Sequence, residues 1–365
     1  MQFLSISVQH HAANHLIIML SESKLFTIFV TKSIVVFSVV VLFIALGESS
    51  SEDGVIRTVQ GPVGSDTLGM TLSHEHLFSN FGLPINETNT YNKTALFAQV
   101  IPYLRMLHSQ GVRTIFDCTA SYFGRRADLL KAISDSTGIR VVTNTGIYGA
   151  ADDRYVPSYA YDVSAAELAQ RWIAEAENGI DGNAILPGFV KLAFDQGPPS
   201  DIDRKLFEAG LLTHLETGLT VAVHTGGNPD AVHLQLALLD KYGVHPSAWI
   251  WTHANLHDDL ELLLEVADRG AWISMDGVKH ENVEQYLEYI QRFMDAGLLD
   301  RLLLSHDGNA YPGGGDIRPF EAIPKELISA MRSHGFSESI IDQLLVKNPG
   351  EAYAIRVRRT GEMEN

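Results

Sequence analysis

Six side chains in this 365-residue chain have the types and order to converge on metal ions. They are His74 and His76 in TLSHEHL, Lys191 in GFVKLAFD, His224 in VAVHTGG, His253 in WIWTHAN and Asp307 in LLLSHDGNA. Imidazole nitrogen and carboxylate oxygen suit zinc, manganese, iron or cobalt, and zinc is the first expectation. Alternate side chains of a strand share a face, so His74 and His76 form a bidentate clamp while Glu75 looks away. Lys191 is the odd member, because an ammonium repels a cation. It ligates only when neutral, or when its amine has added carbon dioxide to become a carbamate with two oxygens able to bridge two metals. Two divalent ions about 3.5 to 4 Å apart can share a bridging water and lower its pKa from about 15.7 toward neutrality, which makes hydroxide available at pH 7. Asp307 would then be ligand and proton acceptor at once.

These residues need elements that aim them at one point. Each closes a short apolar run, and eight such runs are legible: 70–72, 114–116, 140–142, 188–190, 219–223, 249–251, 271–273 and 302–304. Amphipathic helical patterns alternate with them at 95–110, 125–136, 165–178, 204–217, 230–242, 258–269 and 283–296. Gly111, Gly218, Gly243 and Gly270 follow four of the helical patterns as C-caps. Eight strand–helix repeats predict an α/β fold, a (β/α)8 TIM barrel with a binuclear metal centre at its C-terminal rim. The candidates then follow the first, fourth, fifth, sixth and eighth strands. An open doubly wound sheet is the rival, and it lacks a G-x-G-x-x-G after the first strand. A lone histidine at a strand end is commonly structural, and Lys191 alone would read as a salt-bridge partner of Asp307. Order and strand position together make them one site.

Composition agrees with a globular protein that has a large core: 45% of residues are hydrophobic and 19% charged. The net charge of −17 disfavours nucleic acid and anionic membrane surfaces as partners. A single cysteine, Cys118, excludes an intrachain disulfide and thiolate metal clusters, and reads as a quiet buried thiol. Residues 1–53 are different material. Lys24 and Lys32 precede the apolar run 34–46, Ala45-Leu46-Gly47 forms a small-residue exit, and a polar linker follows. This describes an export signal, for a periplasmic or secreted protein, or a membrane anchor through residues 25–46, with Met19 an alternative start. Residues 54–365 are expected to form the barrel.

From Gly61-Pro62 to about Ala354 the chain resembles the phosphotriesterase family of the amidohydrolase superfamily, as a divergent member. The resemblance rests on HEH, FVK, VxxHT, xxHxN and SHD in family order, and on Gly111 to Asp117, Phe123-Gly124-Arg125-Arg126 and Thr145-Gly146-Ile147-Tyr148. It implies that His74, His76 and Asp307 hold one metal, that His224 and His253 hold the other, and that Lys191 is an N6-carboxylysine bridging both. The lactonase branch continues from the aspartate matching Asp276 with arginine and then tyrosine-glycine; here Gly277-Val278-Lys279-His280 follows. Asp276 itself reads as a substrate-side residue or a loop-capping carboxylate.

Tyr122 and Tyr148 are pocket or rim residues, Trp249 and Trp251 core or barrel-interior residues, and His306 structural. His214, His233, His245 and His257 are expected to face solvent. After Asp307 no long apolar insert precedes the next helix, so the pocket is open or is completed by a partner chain, a homodimer being the assembly this allows. Tyr311 and Arg318 are best placed there to touch substrate. An arginine favours a carboxylate or phosphate group, although a solvent-exposed Arg318 is the simpler reading.

The function expected is metal-dependent hydrolysis, by a bridging hydroxide, of a small-molecule phosphotriester, lactone or carboxyl ester. The alternatives are an amidohydrolase and a non-catalytic exported metal-binding barrel. Replacing His74 and His76 together by alanine is expected to abolish metal retention and turnover; metal analysis and assay of the double variant check it, and normal hydrolysis would end the reading.

Overall fold

A computed structural model describes residues 54–85, 89–313 and 316–361. The export signal or anchor expected in residues 1–53 lies outside the described residues. The domain opens with an antiparallel hairpin, β1 (Val55–Thr58) and β2 (Gly61–Gly64), which the apolar runs do not announce. Eight parallel strand positions follow. They are β3 (Met70–Glu75), β4 (Val112–Asp117), a strand broken at Thr143 into β5 (Arg140–Val142) and β6 (Asn144–Thr145), β7 (Phe189–Ala193), β8 (Thr220–His224), β9 (Trp249–Thr252), β10 (Trp272–Asp276) and β11 (Leu302–Ser305). Neighbours pair in chain order from β3 to β5 and from β6 to β11. The ring closes where the His74 amide donates to Ser305 Oγ at 3.0 Å and the Asp307 amide to the His74 carbonyl at 3.2 Å. The expected TIM barrel is the fold.

The helices between strands match the helical periodicity closely: α1 (Lys93–Ser109), α2 (Ala127–Thr137), α3 (Ala165–Asn178), α4 (Asp201–Thr217), α5 (Pro229–Tyr242), α6 (Leu260–Asp268) and α7 (Val283–Asp295). Ser164 and Ser200 start α3 and α4 with capping boxes, each accepting from the N3 amide while the N3 carboxylate accepts in return. Outward strand residues such as Val190, Leu192, Val221 and Trp251 join the helices in one buried apolar layer. Trp249 lies in that layer too, so both tryptophans are core rather than barrel interior.

Inward residues fill the barrel: Phe116, Phe189, Ile250, Trp272 and Leu303, with Tyr353 from the C-terminal helix stacked on Phe116 at 3.9 Å. Each such burial contributes about 1.5–3 kcal/mol. Because side chains alternate, the next inward layers above Phe189, Ala222, Trp272 and Leu303 carry Lys191, His224, Asp276 and Asp307. The first strand reaches that layer differently. Leu72 packs outward with its partner Ile115, and a bulge between Leu72 and Glu75 turns His74 to the interior. Gly146 is required for close approach: its φ is +109°, and a Cβ there would stand 2.3 Å from the Lys191 carbonyl oxygen.

The C-terminal segment corrects one expectation. His214 on α4 is fully buried, not solvent-facing. Its Nε2 accepts from the Arg358 amide at 2.9 Å, so Nδ1 carries the proton and donates to the Leu219 carbonyl at 3.0 Å. Helical periodicity marks the face His214 occupies but not the strap, residues 355–359, that later covers it. Burial holds this imidazole down at about 4, against 6.5 when free. A depressed histidine contributes stability that is present above 6.5 and is lost as pH falls toward 4, an effect on the order of 3 kcal/mol. In metal-free protein, His214→Leu is expected to lower stability at pH 7 by about 2 kcal/mol through the two unpaired partners. It should also lose less on going from pH 7 to 4.5 than the parent; urea unfolding at both pH values measures this.

Candidate metal centre

All six candidates meet at the C-terminal mouth of the barrel, around a cavity of about 180 Å³ walled by Phe81, Phe123, Tyr148 and Arg318. Hydrogen bonds behind the rings decide what each histidine presents. His74 Nδ1 lies 3.1 Å from Asp276 Oδ2 and donates to it, which leaves the Nε2 lone pair facing the cavity, 3.4 Å from Lys191 Nζ. His76 Nδ1 lies 2.8 Å from Thr119 Oγ1, whose own proton goes to the Phe78 carbonyl at 3.0 Å. Thr119 therefore accepts from His76 Nδ1, and His76 turns its Nε2 to the cavity. It faces Asp307 Oδ1 at 3.2 Å. Either a hydrogen bond between them or a cation held by both satisfies that approach. Donor atoms of His74, His253 and Asp307 also lie within 4.8 Å of one another. The His224 ring stands 4.5 Å from the His253 ring.

Electrostatics prepare the same donors. Burial, helped by the Lys191 charge, pushes His74 well below its ordinary value; burial and His253 do the same for His224, and burial holds His253 at about 4. These three imidazoles are neutral at pH 7, the form that ligates. Burial alone would raise the Asp307 carboxyl, but the His76 hydrogen bond and the neighbouring imidazoles outweigh it and hold it well below the usual range. An anionic oxygen among neutral nitrogens is a donor set that fits divalent ions.

Two of these residues pay in backbone strain. His253 and Asp307 adopt left-handed φ values of 61° and 56°, uncommon for residues other than glycine and costing about 1 kcal/mol or more. Each is held by a bond from its own amide, His253 to Asp276 Oδ2 at 2.8 Å and Asp307 to the His74 carbonyl.

Asp276 caps the loop that begins at His253, as the sequence allowed, and also lines a neighbouring cavity. It is buried beneath the site, accepts from His74 and from the His253 amide, and is fixed by Ser274 Oγ at 2.5 Å. Glu75 faces away from the cavity, as strand alternation predicts. There it accepts from Ser305 Oγ, from the His306 amide and ring, and from the Gly308 amide, at 2.6–3.1 Å. Its signal in the sequence was the match of a carboxylate between the two histidines with His306 beside Asp307. His306 is structural, as expected: Nε2 accepts from the Ile323 amide, so Nδ1 donates to Glu75.

Tyr148 lines the cavity 5.6 Å from the His224 ring, whereas the Tyr122 hydroxyl bonds Tyr159. Tyr311 lies outside the cavity walls. Arg125 is buried in ion pairs with Glu175 and Asp181 and bonds the Asn144 carbonyl, which ties β6 to α3. Cys118 is buried, and its thiol is pushed up by burial.

Residues 54–353 match the model of the phosphotriesterase family. The chain belongs to that family. It is 30% identical over 296 residues to the phosphotriesterase homology protein of Escherichia coli (strain K12), covering 79% of this chain and 99% of that one. It is 25% identical over 349 residues to the N-acetyltaurine hydrolase of Mus musculus, covering 82% and 98%. A solved structure described as organophosphate hydrolysis activity engineered from a weak promiscuous lactonase template shares the fold, with TM-score 0.73, 23% identity and coverage of 82% and 99%.

Asp276→Asn keeps the shape beneath His74 and His253 but weakens both bonds. Metal affinity is expected to fall about 10–100-fold, measured by competition with a chromophoric chelator. Glu75→Gln places a donor among four donors, and unfolding free energy should drop by about 2 kcal/mol or more, read from denaturant curves.

Proposed function

We propose that this phosphotriesterase-family hydrolase cleaves an ester-type bond, in a phosphotriester, lactone or carboxyl ester, with the aid of two divalent ions, zinc by preference. The observation that carries this reading is the convergence of the His74 and His76 Nε2 atoms, the Asp307 carboxylate and Lys191 Nζ on the floor of one cavity. In this reading His74, His76 and Asp307 hold one ion and His224 and His253 the other. Lys191 would serve both ions as a carbamate, formed when its deprotonated amine adds to the carbon of carbon dioxide, an N–C bond replaces one C–O π bond, and one proton leaves to solvent.

Bound there, the ions would supply an activated water and polarise the carbonyl or phosphoryl oxygen under attack. The chain does the rest. Asp307, ionised at pH 7 and partly open to the cavity, takes the proton of the attacking water and passes it outward. Phe81, Phe123 and Tyr148 form an aromatic wall that keeps bulk water from the reacting bond. Burial raises the Tyr148 phenol, so it stays protonated and able to donate.

The 25% identity to an N-acetyltaurine hydrolase over nearly its full length favours one second reading, amide hydrolysis. The same groups suffice, with the Asp307 proton delivered to the departing amine. We place the protein outside the cytoplasm on the strength of the apolar run 34–46.

Metal analysis should find about two divalent ions per chain, and chelation should cut turnover by about a thousandfold or more, restored by zinc. A panel of phosphotriesters, lactones, carboxyl esters and N-acyl amides then decides the bond. Turnover confined to amides would replace the ester reading, and tight metal with no turnover would make the barrel non-catalytic.

A further inference from the structure

Arg318 stands between two cavities. It lines the 180 Å³ cavity over the metal-site residues and also a neighbouring one of about 570 Å³ between the loops that follow β10 and β11. His253 and Asp307 belong to both walls, so a substrate whose reacting bond sits over Asp307 extends into the larger space. That space has apolar walls in Leu256, Val278 and Ile317.

The position of Arg318 is built. Its amide donates to the Asn309 carbonyl at 3.0 Å and its carbonyl accepts from the Asn309 amide at 2.7 Å, an antiparallel bridge. Asn309 in turn bridges to His76 and donates through Nδ2 to Ser79 Oγ at 2.7 Å. The arginine backbone is thus tied to the strand that carries the clamp. Its guanidinium uses one edge, Nη1 donating to Asp307 Oδ2 at 3.2 Å. Among the described residues, no other protein acceptor lies within hydrogen-bond distance of it. A guanidinium has five N–H donors in a planar fork, so its remaining edge can hold a second, planar or trigonal anion without releasing Asp307. Of the other charges on the larger cavity, Asp276 is buried and bonded to His74 and the His253 amide, His280 is paired with Glu326, and Lys279 and Glu281 are exposed at the rim.

We propose that Arg318 is a specificity residue that binds a carboxylate or sulfonate on the substrate, remote from the bond that is cut and lodged in the larger cavity. This rests on the hydrolase reading above and narrows its substrate class to anionic esters or amides. A neutral phosphotriester would leave the free edge of Arg318 unused.

The test is a ratio. 4-Acetoxybenzoate and its methyl ester share the acetyl group and ring and differ in one charge. The metal-loaded protein should prefer the carboxylate by about tenfold or more in kcat/KM, expressed mainly in KM. Arg318→Met should collapse that ratio toward one, and Arg318→Lys should retain part of it. An unchanged ratio, including equal losses on both substrates, would overturn the proposal, because Arg318 would then act only through Asp307.

A second measurement does not depend on turnover. 4-Hydroxybenzenesulfonate, whose sulfonate is a poor metal ligand, should bind the parent measurably by calorimetry and bind Arg318→Met about tenfold or more weakly. Equal binding to both, or none to the parent, sinks the anion site. Failure of hydrolysis with retained sulfonate binding would instead count against the hydrolase reading.

Discussion

Glu75 touches no candidate ligand atom, yet the site depends on it. Four donors from the end of β11 and the loop beyond it point at this one buried carboxyl group, and it sits between the two histidines of the first barrel strand. A barrel must join its last strand to its first, and here the joint is also where Asp307 has to meet His74 and His76. The His306 ring extends the clamp by accepting from Ile323, so the segment that begins the C-terminal helices is pinned to the same point. Losing one partner of such a set strands several donors in a dry interior, and for that reason the arrangement is stiff.

A similar economy governs Asp276. One carboxylate sets the tautomer of His74 and holds His253 in a left-handed conformation that a histidine does not choose unaided. The strain is small beside the apolar burial beneath it, where Phe189, Trp272 and Tyr353 pack the barrel interior. The layer above that core holds imidazoles, a lysine and carboxyls, with His76 Nε2 and Asp307 Oδ1 facing each other at 3.2 Å. Core packing, buried hydrogen bonds and electrostatic complementarity all lead to that point.

Above the site the chain is less uniform. One side is aromatic, with Phe81, Phe123 and Tyr148 edge to face; the other opens between the last two loops, with Arg318 at the boundary. The chemistry and the choice of substrate therefore reside in different parts of the fold, strand ends for the first and loops for the second.

Much of this was legible from residues in order. Strand and helix periods follow from one-dimensional patterns, so α3 over Ala165–Asn178 and the apolar run of β8 are written locally, and the six candidates announce themselves by standing at strand ends. The family could be read from the same motifs. What stayed hidden was whatever depends on partners far apart in the chain. The bulge that turns His74 inward, the burial of His214 under Arg358, the clamp at Glu75 and the position of Asp276 beneath two rings join residues up to 233 positions apart. A side chain's type and spacing say which contacts it is able to make. Only closure of the barrel decides which donors and acceptors are left facing one another without water, and so which carboxyl groups support the site and which take part in it.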